Sequence, residues 1–397
     1  MSAYFHSYHQ SAATILEEYR FKEPFAIHLK SHFKRNKKYG SRDRKIISDL
    51  CYGFLRLGNA GTDLDLQARM AIGYFLTHNT DNGYLQWCNF PYTDAIYLDC
   101  REKLEIVANA FQEFNPMSIF PEIDQVTPEI ERIALVCEML KQPDFFLRVR
   151  PGHRSKFTRM IKDKTLPGEW VGEDAIRMHA SFNVADKIQP DTSFVIQDIS
   201  SQRTFKLLDG IKSEIKTIWD TCSGSGGKTI MAFDRFPSAS IFASDIREEI
   251  LLELKRRASV AGISKLNVFC NDLQHPMSSA VTRSNLPPKG VDLIIADVPC
   301  TGSGTWARSP EWLQAMDLAT IKEFQERQLA IVGKLATHLN AGGYILYITC
   351  SVYVQENQEI ADYLQQKSGL TLLQSAMITG TDTGGDNLYA ALFISQR

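Results

Sequence analysis

At 397 residues the chain is long enough for two or three domains of ordinary size, and one hydrophobic core is not expected to hold it all. Hydrophobic residues make up 44% of it and charged residues 23%, the proportions of a globular chain, which excludes disordered, collagen-like and low-complexity classes. The net charge of −2 does not by itself point to a nucleic-acid partner, no window approaches the ~20 apolar residues of a membrane span, and Met1 to His6 lack the features of a signal peptide. A cytoplasmic location is therefore expected.

In chain order, residues 1–140 read as an all-α domain: apolar positions recur at helical spacing in Ala12, Ala13, Ile15 and Leu16, in Phe25, Ile27, Leu29 and Phe33, and in Ile46, Ile47, Leu50, Phe54 and Leu55. Charge is uneven there. From Arg20 to Arg56 eleven Lys/Arg face three Asp/Glu, which leaves the rest of the chain at −10. Residues 141–192 read as a small α+β connector, with strand-like Phe145 to Val149 and a basic helix from His153 to Lys164. Arg148, Arg150, His153, Arg154 and Lys156 are candidates to extend the upstream basic surface.

From residue 193 to 397, near-continuous apolar runs alternate with helical segments: Thr217 to Asp220, Ala239 to Asp245, Leu266 to Phe269, Val291 to Asp297 and Gly343 to Ile348. That alternation predicts a doubly wound α/β domain, a parallel sheet covered on both faces with ligands at the carboxyl ends of its strands. The first strand runs into Cys222, Ser223, Gly224, Ser225, Gly226, Gly227 and Lys228, whose glycines allow close backbone approach to a ligand at a helix N-terminus. Asp245 closes the second strand, where a carboxylate can take ribose hydroxyls, and Asp272 follows the third, where one can take an adenine amino group. Together these three strand ends predict an adenosine-cofactor pocket, with NAD and S-adenosylmethionine both open.

The eight cysteines contain no CxxC pair, so neither a metal site nor a disulfide framework is expected. Two of them stand out. The fourth strand ends in Asp297-Val298-Pro299-Cys300 and the fifth in Thr349-Cys350-Ser351, followed by Glu356-Asn357. If those strands are neighbours, two thiols face one cleft.

These segments, with Gly226-Gly227-Lys228 and Asp245, resemble the RsmB and Nop/Sun-type RNA cytosine carbon-5 methyltransferases. Gln197-Asp198-Ile199-Ser200-Ser201-Gln202 is similar to the segment preceding their catalytic domain, and Asn36 to Arg44 is similar to the NusB-like RNA-binding domain of the RsmB branch. The first loop departs from the family's Cys-Ala-Ala-Pro-Gly-Gly-Lys at Ser223-Gly224-Ser225, and Gly384 to Ala390 only approximates its final strand entry. The resemblance implies a class I, Rossmann-like domain using S-adenosylmethionine. It further implies Cys350 as nucleophile at carbon 6 of a flipped-out cytosine, Cys300 for product release, Asp297 for polarising the base, and 16S ribosomal RNA as substrate. Lys37, Lys38, Arg42, Arg44 and Lys45 become the expected RNA-binding residues, on a monomer without metal. The alternatives are a DNA cytosine methyltransferase, which places its nucleophile in a Pro-Cys motif like Pro299-Cys300, and a non-catalytic RNA-binding assembly factor. The absence of GxGxxG disfavours an NAD-dependent oxidoreductase.

Overall fold

The computed structural model describes residues 2–178, 184, 188–275 and 278–396, divided between two units: Met1–Gln142 with Thr305–Leu318, and Pro143–Gly304 with Ala319–Arg397. In the first, apolar positions three and four apart become the buried stripes of helices. Phe25, Leu29 and Phe33 line helix Phe25–Arg35, and Ile46, Ile47 and Leu50 line helix Ser41–Leu55. Further helices span Ser2–Glu18, Leu66–Thr77, Cys100–Ala110 and Arg132–Met139. The Asp65 carboxylate caps one of them by accepting the Ala68 amide at 2.7 Å, and Asp99 and Glu102 cap another reciprocally. Helices Ser41–Leu55 and Leu66–Thr77 touch through glycines: a Cβ on Gly73 would lie 2.5 Å from the Gly53 carbonyl oxygen. No strand occurs among the described residues of this unit.

Thr305–Leu318 belongs to this helical unit although it lies beyond residue 193. Phe25 donates its amide to Glu311 Oε1 at 3.0 Å, Arg56 Nη2 donates to the Ala307 carbonyl at 2.8 Å, and Gln314 Nε2 donates to the Gly58 carbonyl at 3.1 Å.

The second unit begins with an antiparallel sheet of β1 (Phe145–Val149), β2 (Gly168–Trp170), β3 (Ala175–Met178) and β4 (Phe194–Ile196), ordered β2-β3-β1-β4. β4 starts two residues past the connector boundary expected at 192. Leu147, Val149, Ile176, Met178 and Phe194 form its core with Phe157 of the basic helix Arg154–Lys162.

Seven strands follow: β5 (Thr217–Asp220), β6 (Ser240–Asp245), β7 (Leu266–Cys270), β8 (Val291–Asp297), β9 (Leu339–Thr349), β10 (Leu370–Ile378) and β11 (Leu388–Ser395). Their order is β10-β11-β9-β8-β5-β6-β7, parallel from β9 through β7, with β11 antiparallel to both β9 and β10. The chain leaves β5 toward β6 and β7, then returns on its other side as β8. β5 and β8 therefore flank a topological switch point, the place in an open α/β sheet where ligands bind. Ile218, Ile241, Leu293, Ile295 and Leu346 fill the core on one face, and Trp219, Ile294, Ile345 and Tyr347 on the other. Among the described residues no helix is long and apolar enough to cross a membrane.

Arg148 and Arg150 correct one expectation. Both are buried, 7% and 9% exposed, and both bind Asp234 near the end of helix Gly227–Arg235: Arg148 Nη1 at 2.6 Å, Arg150 Nη2 at 2.8 Å. Arg148 also donates from Nε to Gln197 at 2.8 Å, and Arg150 to the Ala261 carbonyl at 2.9 Å. They join the four-stranded sheet to the flank of the seven-stranded one and are not an RNA-facing surface. Asp234→Ala strands two buried guanidinium groups without their carboxylate, an expected loss of about 3–5 kcal/mol. Urea unfolding of the full chain checks this.

Candidate active site

The loop after β5 turns through Gly224 (φ 52°) and Gly226 (φ 91°), conformations that favour glycine. An added Cβ at Gly224 or Gly227 would meet nothing within 4 Å, so this stretch faces open space. Ser223 is fixed by its amide and hydroxyl to the Ser244 carbonyl at 2.9 and 3.1 Å, and Gly224 donates its amide to Asp245 Oδ2 at 3.0 Å. Asp245 thus closes the loop from the end of β6. Arg247 donates to its other oxygen from its amide at 3.0 Å and from Nε at 3.1 Å. Burial opposes ionisation of Asp245, and these donors outweigh it, leaving the carboxyl below its ordinary pKa. Burial pushes the Cys222 thiol up to about 12, so Cys222 serves as a small apolar lining.

Asp272 is half-buried, and its Oδ1 accepts the Gln274 amide at 3.0 Å, a turn-capping bond. Ser225 accepts Arg257 Nη1 at its carbonyl (2.9 Å) and hydroxyl (3.0 Å). At the floor, fully buried Asp220 accepts the Thr229 hydroxyl at 2.6 Å, while its Oδ1 has no hydrogen-bond partner among the described residues. Burial raises this carboxyl to about 7.

The two thiols meet. β8 and β9 are parallel neighbours, and Cys300 Sγ lies 3.2 Å from Cys350 Sγ. The contact with Cys350, then burial, then the charge of Glu356 push the Cys300 thiol well above its ordinary pKa. Beside them Lys228 Nζ binds Asp297 Oδ2 at 2.6 Å. Burial works against the Lys228 ammonium, but Asp297, helped by the charge of Cys350, outweighs it, and the group stays protonated throughout the neutral range. One constellation therefore holds two sulfur atoms, a cation and a carboxylate at the edge of an open glycine-rich loop. It can add a sulfur nucleophile to an electrophilic ring, hold a proton beside that ring and stabilise the thiolate electrostatically.

Residues 207–390 match the family model described as 16S rRNA methyltransferase RsmB/F. That span is therefore similar to the methyltransferase domain of the RsmB/F family. The chain is 27% identical over 281 residues to ribosomal RNA small subunit methyltransferase B of Yersinia enterocolitica, covering 64% of this chain and 61% of that one. To the protein of the same name from Cronobacter sakazakii it is 29% identical over 257 residues, covering 61% and 54%. It thus spans between about half and three fifths of these curated relatives. Among solved structures, PH0851 is similar with a TM-score of 0.66 at 17% identity, covering 94% of each chain. NSun6 from Pyrococcus horikoshii, solved with SFG, is similar with a TM-score of 0.59 at 14% identity, covering 69% of this chain and 97% of that one. At such identities these likenesses establish the fold.

Within this RsmB/F-type unit, Asp220, Arg247 and Glu356 hold site positions that sequence reasoning did not assign. Asp220 carried a signal, as the last residue of the first strand before the glycine loop. In the helical unit, Lys37, Lys38, Arg42, Arg44 and Lys45 are all exposed. Lys37, Arg44 and Lys45 line an open groove of about 770 Å³ between helices Phe25–Arg35 and Ser41–Leu55, together with Lys30 and Lys34, over Phe33 and Tyr52. Lys38 and Arg42 lie outside that lining.

Proposed function

We propose that the chain is an S-adenosylmethionine-dependent methyltransferase that modifies carbon 5 of a cytosine in 16S ribosomal RNA through a covalent cysteine adduct. The observation that carries this reading is the 3.2 Å approach of Cys300 and Cys350 beside the Lys228–Asp297 pair. An NAD-dependent oxidoreductase would give the two cleft thiols no role in hydride transfer.

The residues present suit the cofactor. The open loop at Gly224 and Gly227, the Asp245 carboxylate and the unpartnered Asp220 Oδ1 offer backbone room and acceptors for an adenosyl and an amino-acid group. Asp272 lies at the next strand end. The bound cofactor supplies an electrophilic methyl group. SFG, found with one fold relative, is an S-adenosylmethionine analogue.

Carbon 5 of cytosine is too weak a nucleophile to react unaided. The Cys350 thiolate adds to carbon 6, forming a C–S bond and making carbon 5 enamine-like, while Asp297 holds a proton at ring nitrogen 3. Attack requires the sulfur as a thiolate, and the Lys228 ammonium lies beside the pair. Once carbon 5 is methylated, the thiolate form of Cys300 accepts its proton, the electron pair of that C–H bond restores the ring double bond, and the C–S bond breaks to free Cys350 as its thiolate. Because a stacked base exposes neither face, the cytosine must be flipped out of its helix. The basic groove of the helical unit serves as the phosphate-binding surface for the RNA.

The direct test is transfer of labelled methyl groups from S-adenosylmethionine to unmodified small-subunit RNA. Labelled RNA is expected; cofactor binding with no labelling of RNA or ribosomal particle would favour the assembly-factor reading. Neutralising Arg42, Arg44 and Lys45 together is expected to weaken RNA binding by roughly 10–100-fold near 0.1 M salt and to flatten its salt dependence by about two units of log–log slope. Cofactor affinity should not change. Filter binding across a salt series, with calorimetry for the cofactor, checks both.

A further inference from the structure

Glu356 is fully buried, yet every hydrogen-bond donor placed on its carboxylate is a neutral group. Its Oε1 accepts the Thr301 amide at 2.9 Å and Gln328 Nε2 at 2.9 Å. Its Oε2 accepts the Thr301 hydroxyl at 2.5 Å and the Ser351 hydroxyl. Thr301 directly follows Cys300, and Ser351 directly follows Cys350. One carboxylate therefore grips the residue after each thiol, bridging the ends of β8 and β9.

The rest of the network supports the bridge. Gln328 Nε2 also donates to the Pro299 carbonyl at 2.9 Å, on the other side of Cys300. Tyr347 donates its hydroxyl to the Glu356 carbonyl at 2.6 Å, and Asn357 Nδ2 donates to the Ser351 carbonyl at 2.9 Å. Gly304 donates its amide to the Cys350 carbonyl at 2.9 Å. Four donors satisfy a carboxylate, which only accepts, and so offset part of the cost of a buried charge, although burial still leaves the Glu356 carboxyl above its ordinary pKa.

We propose that Glu356 is a positioning residue that sets the separation of Cys300 and Cys350 and distinguishes the two thiols electrostatically. The proposal rests on reading these cysteines as the working pair. The distinction follows from the position of the charge: the carboxylate binds Thr301 through both its amide and its hydroxyl, and its field raises the Cys300 thiol.

Two substitutions separate geometry from charge. Glu356→Gln keeps an acceptor for the Thr301 amide while its new NH₂ can donate to hydroxyls that rotate, so the bridge survives without charge. Glu356→Ala removes both. The first readout needs no RNA: equilibration of the full chain with glutathione disulfide, in which two protein thiols are oxidised to one Cys300–Cys350 disulfide and two glutathione molecules are released. Peptide mapping by mass identifies the bond. Glu356→Ala is expected to lower this disulfide equilibrium at least ~10-fold. Glu356→Gln should stay within about threefold of wild type while moving the pH profile of Cys300 alkylation to lower pH. With RNA, Glu356→Ala should lower kcat strongly while KM stays nearly constant, and Glu356→Gln should restore part of kcat. If Glu356→Ala does not fold, Thr301→Val and Ser351→Ala each remove one grip, and each should lower the disulfide equilibrium several-fold. Folded variants with wild-type disulfide equilibrium and alkylation profile would overturn the proposal. A changed equilibrium in a chain that methylates no RNA would leave the bridge standing and defeat the proposed reaction.

Discussion

Methyl transfer is expected to stop with Cys350→Ala and to stall with Cys300→Ala. Removing Cys350 removes the only group assigned to activate carbon 6, so kcat should fall by roughly four orders of magnitude or more, the scale seen when a covalent nucleophile is deleted. Removing Cys300 leaves addition and methylation intact but slows proton removal and elimination. The expected product is a protein–RNA species that survives denaturation and accumulates to the enzyme concentration. The 3.2 Å contact makes the pair informative, since two thiols this close could exchange roles. Adduct with Cys350→Ala and none with Cys300→Ala would reverse the assignment and match the DNA-type placement of the nucleophile after proline. A denaturing gel with labelled RNA reads all three proteins together.

Asp297→Asn is expected to produce the second-largest effect. Its carboxylate is the counter-charge of Lys228 at 2.6 Å, and Lys228 is the cation that senses Cys350. The amide cannot hold the proton assigned to ring nitrogen 3, and it leaves Lys228 with a neutral partner. A loss of about 10²–10⁴-fold in kcat follows from the proton-transfer role. Lys228 should then titrate at lower pH, because burial is no longer outweighed by its main partner. Lys228→Met tests the other half of the pair: it removes the cation bound to Asp297 and should lower kcat while the chain still folds, which methyl transfer and urea unfolding measure. A folded Asp297→Asn chain with wild-type kcat would remove Asp297 from the mechanism.

Much of the catalytic unit could be read in the sequence because its signals are local. Each of β5 to β9 is an apolar run that ends at candidate site residues, so Cys222 to Lys228, Asp245, Asp297, Cys300 and Cys350 could be placed at strand ends before any contact was known. Contacts across the chain could not be read that way. Arg148 and Arg150 look like surface cations in a basic stretch, and only their bonds to Asp234, more than 80 residues away, show that they are buried. The donors on Glu356 come from three separate segments. Asp272 stands at the expected strand end, where its Oδ1 accepts the Gln274 amide. Thr305–Leu318 carries no local sign of belonging to the helical unit, because its anchors are Arg56, Gly58 and the Phe25 amide. Lys30 and Lys34 join the basic groove only once two helices lie side by side.

The covalent step is tested most directly by the mass of the peptide that carries RNA. Cys300→Ala protein, incubated with S-adenosylmethionine and unmodified small-subunit RNA, is digested with protease and nuclease. A nucleotide of 5-methylcytosine mass is expected on the peptide containing Cys350. RNA that becomes methylated with no peptide adduct, or an adduct on any cysteine other than Cys350, would contradict that expectation.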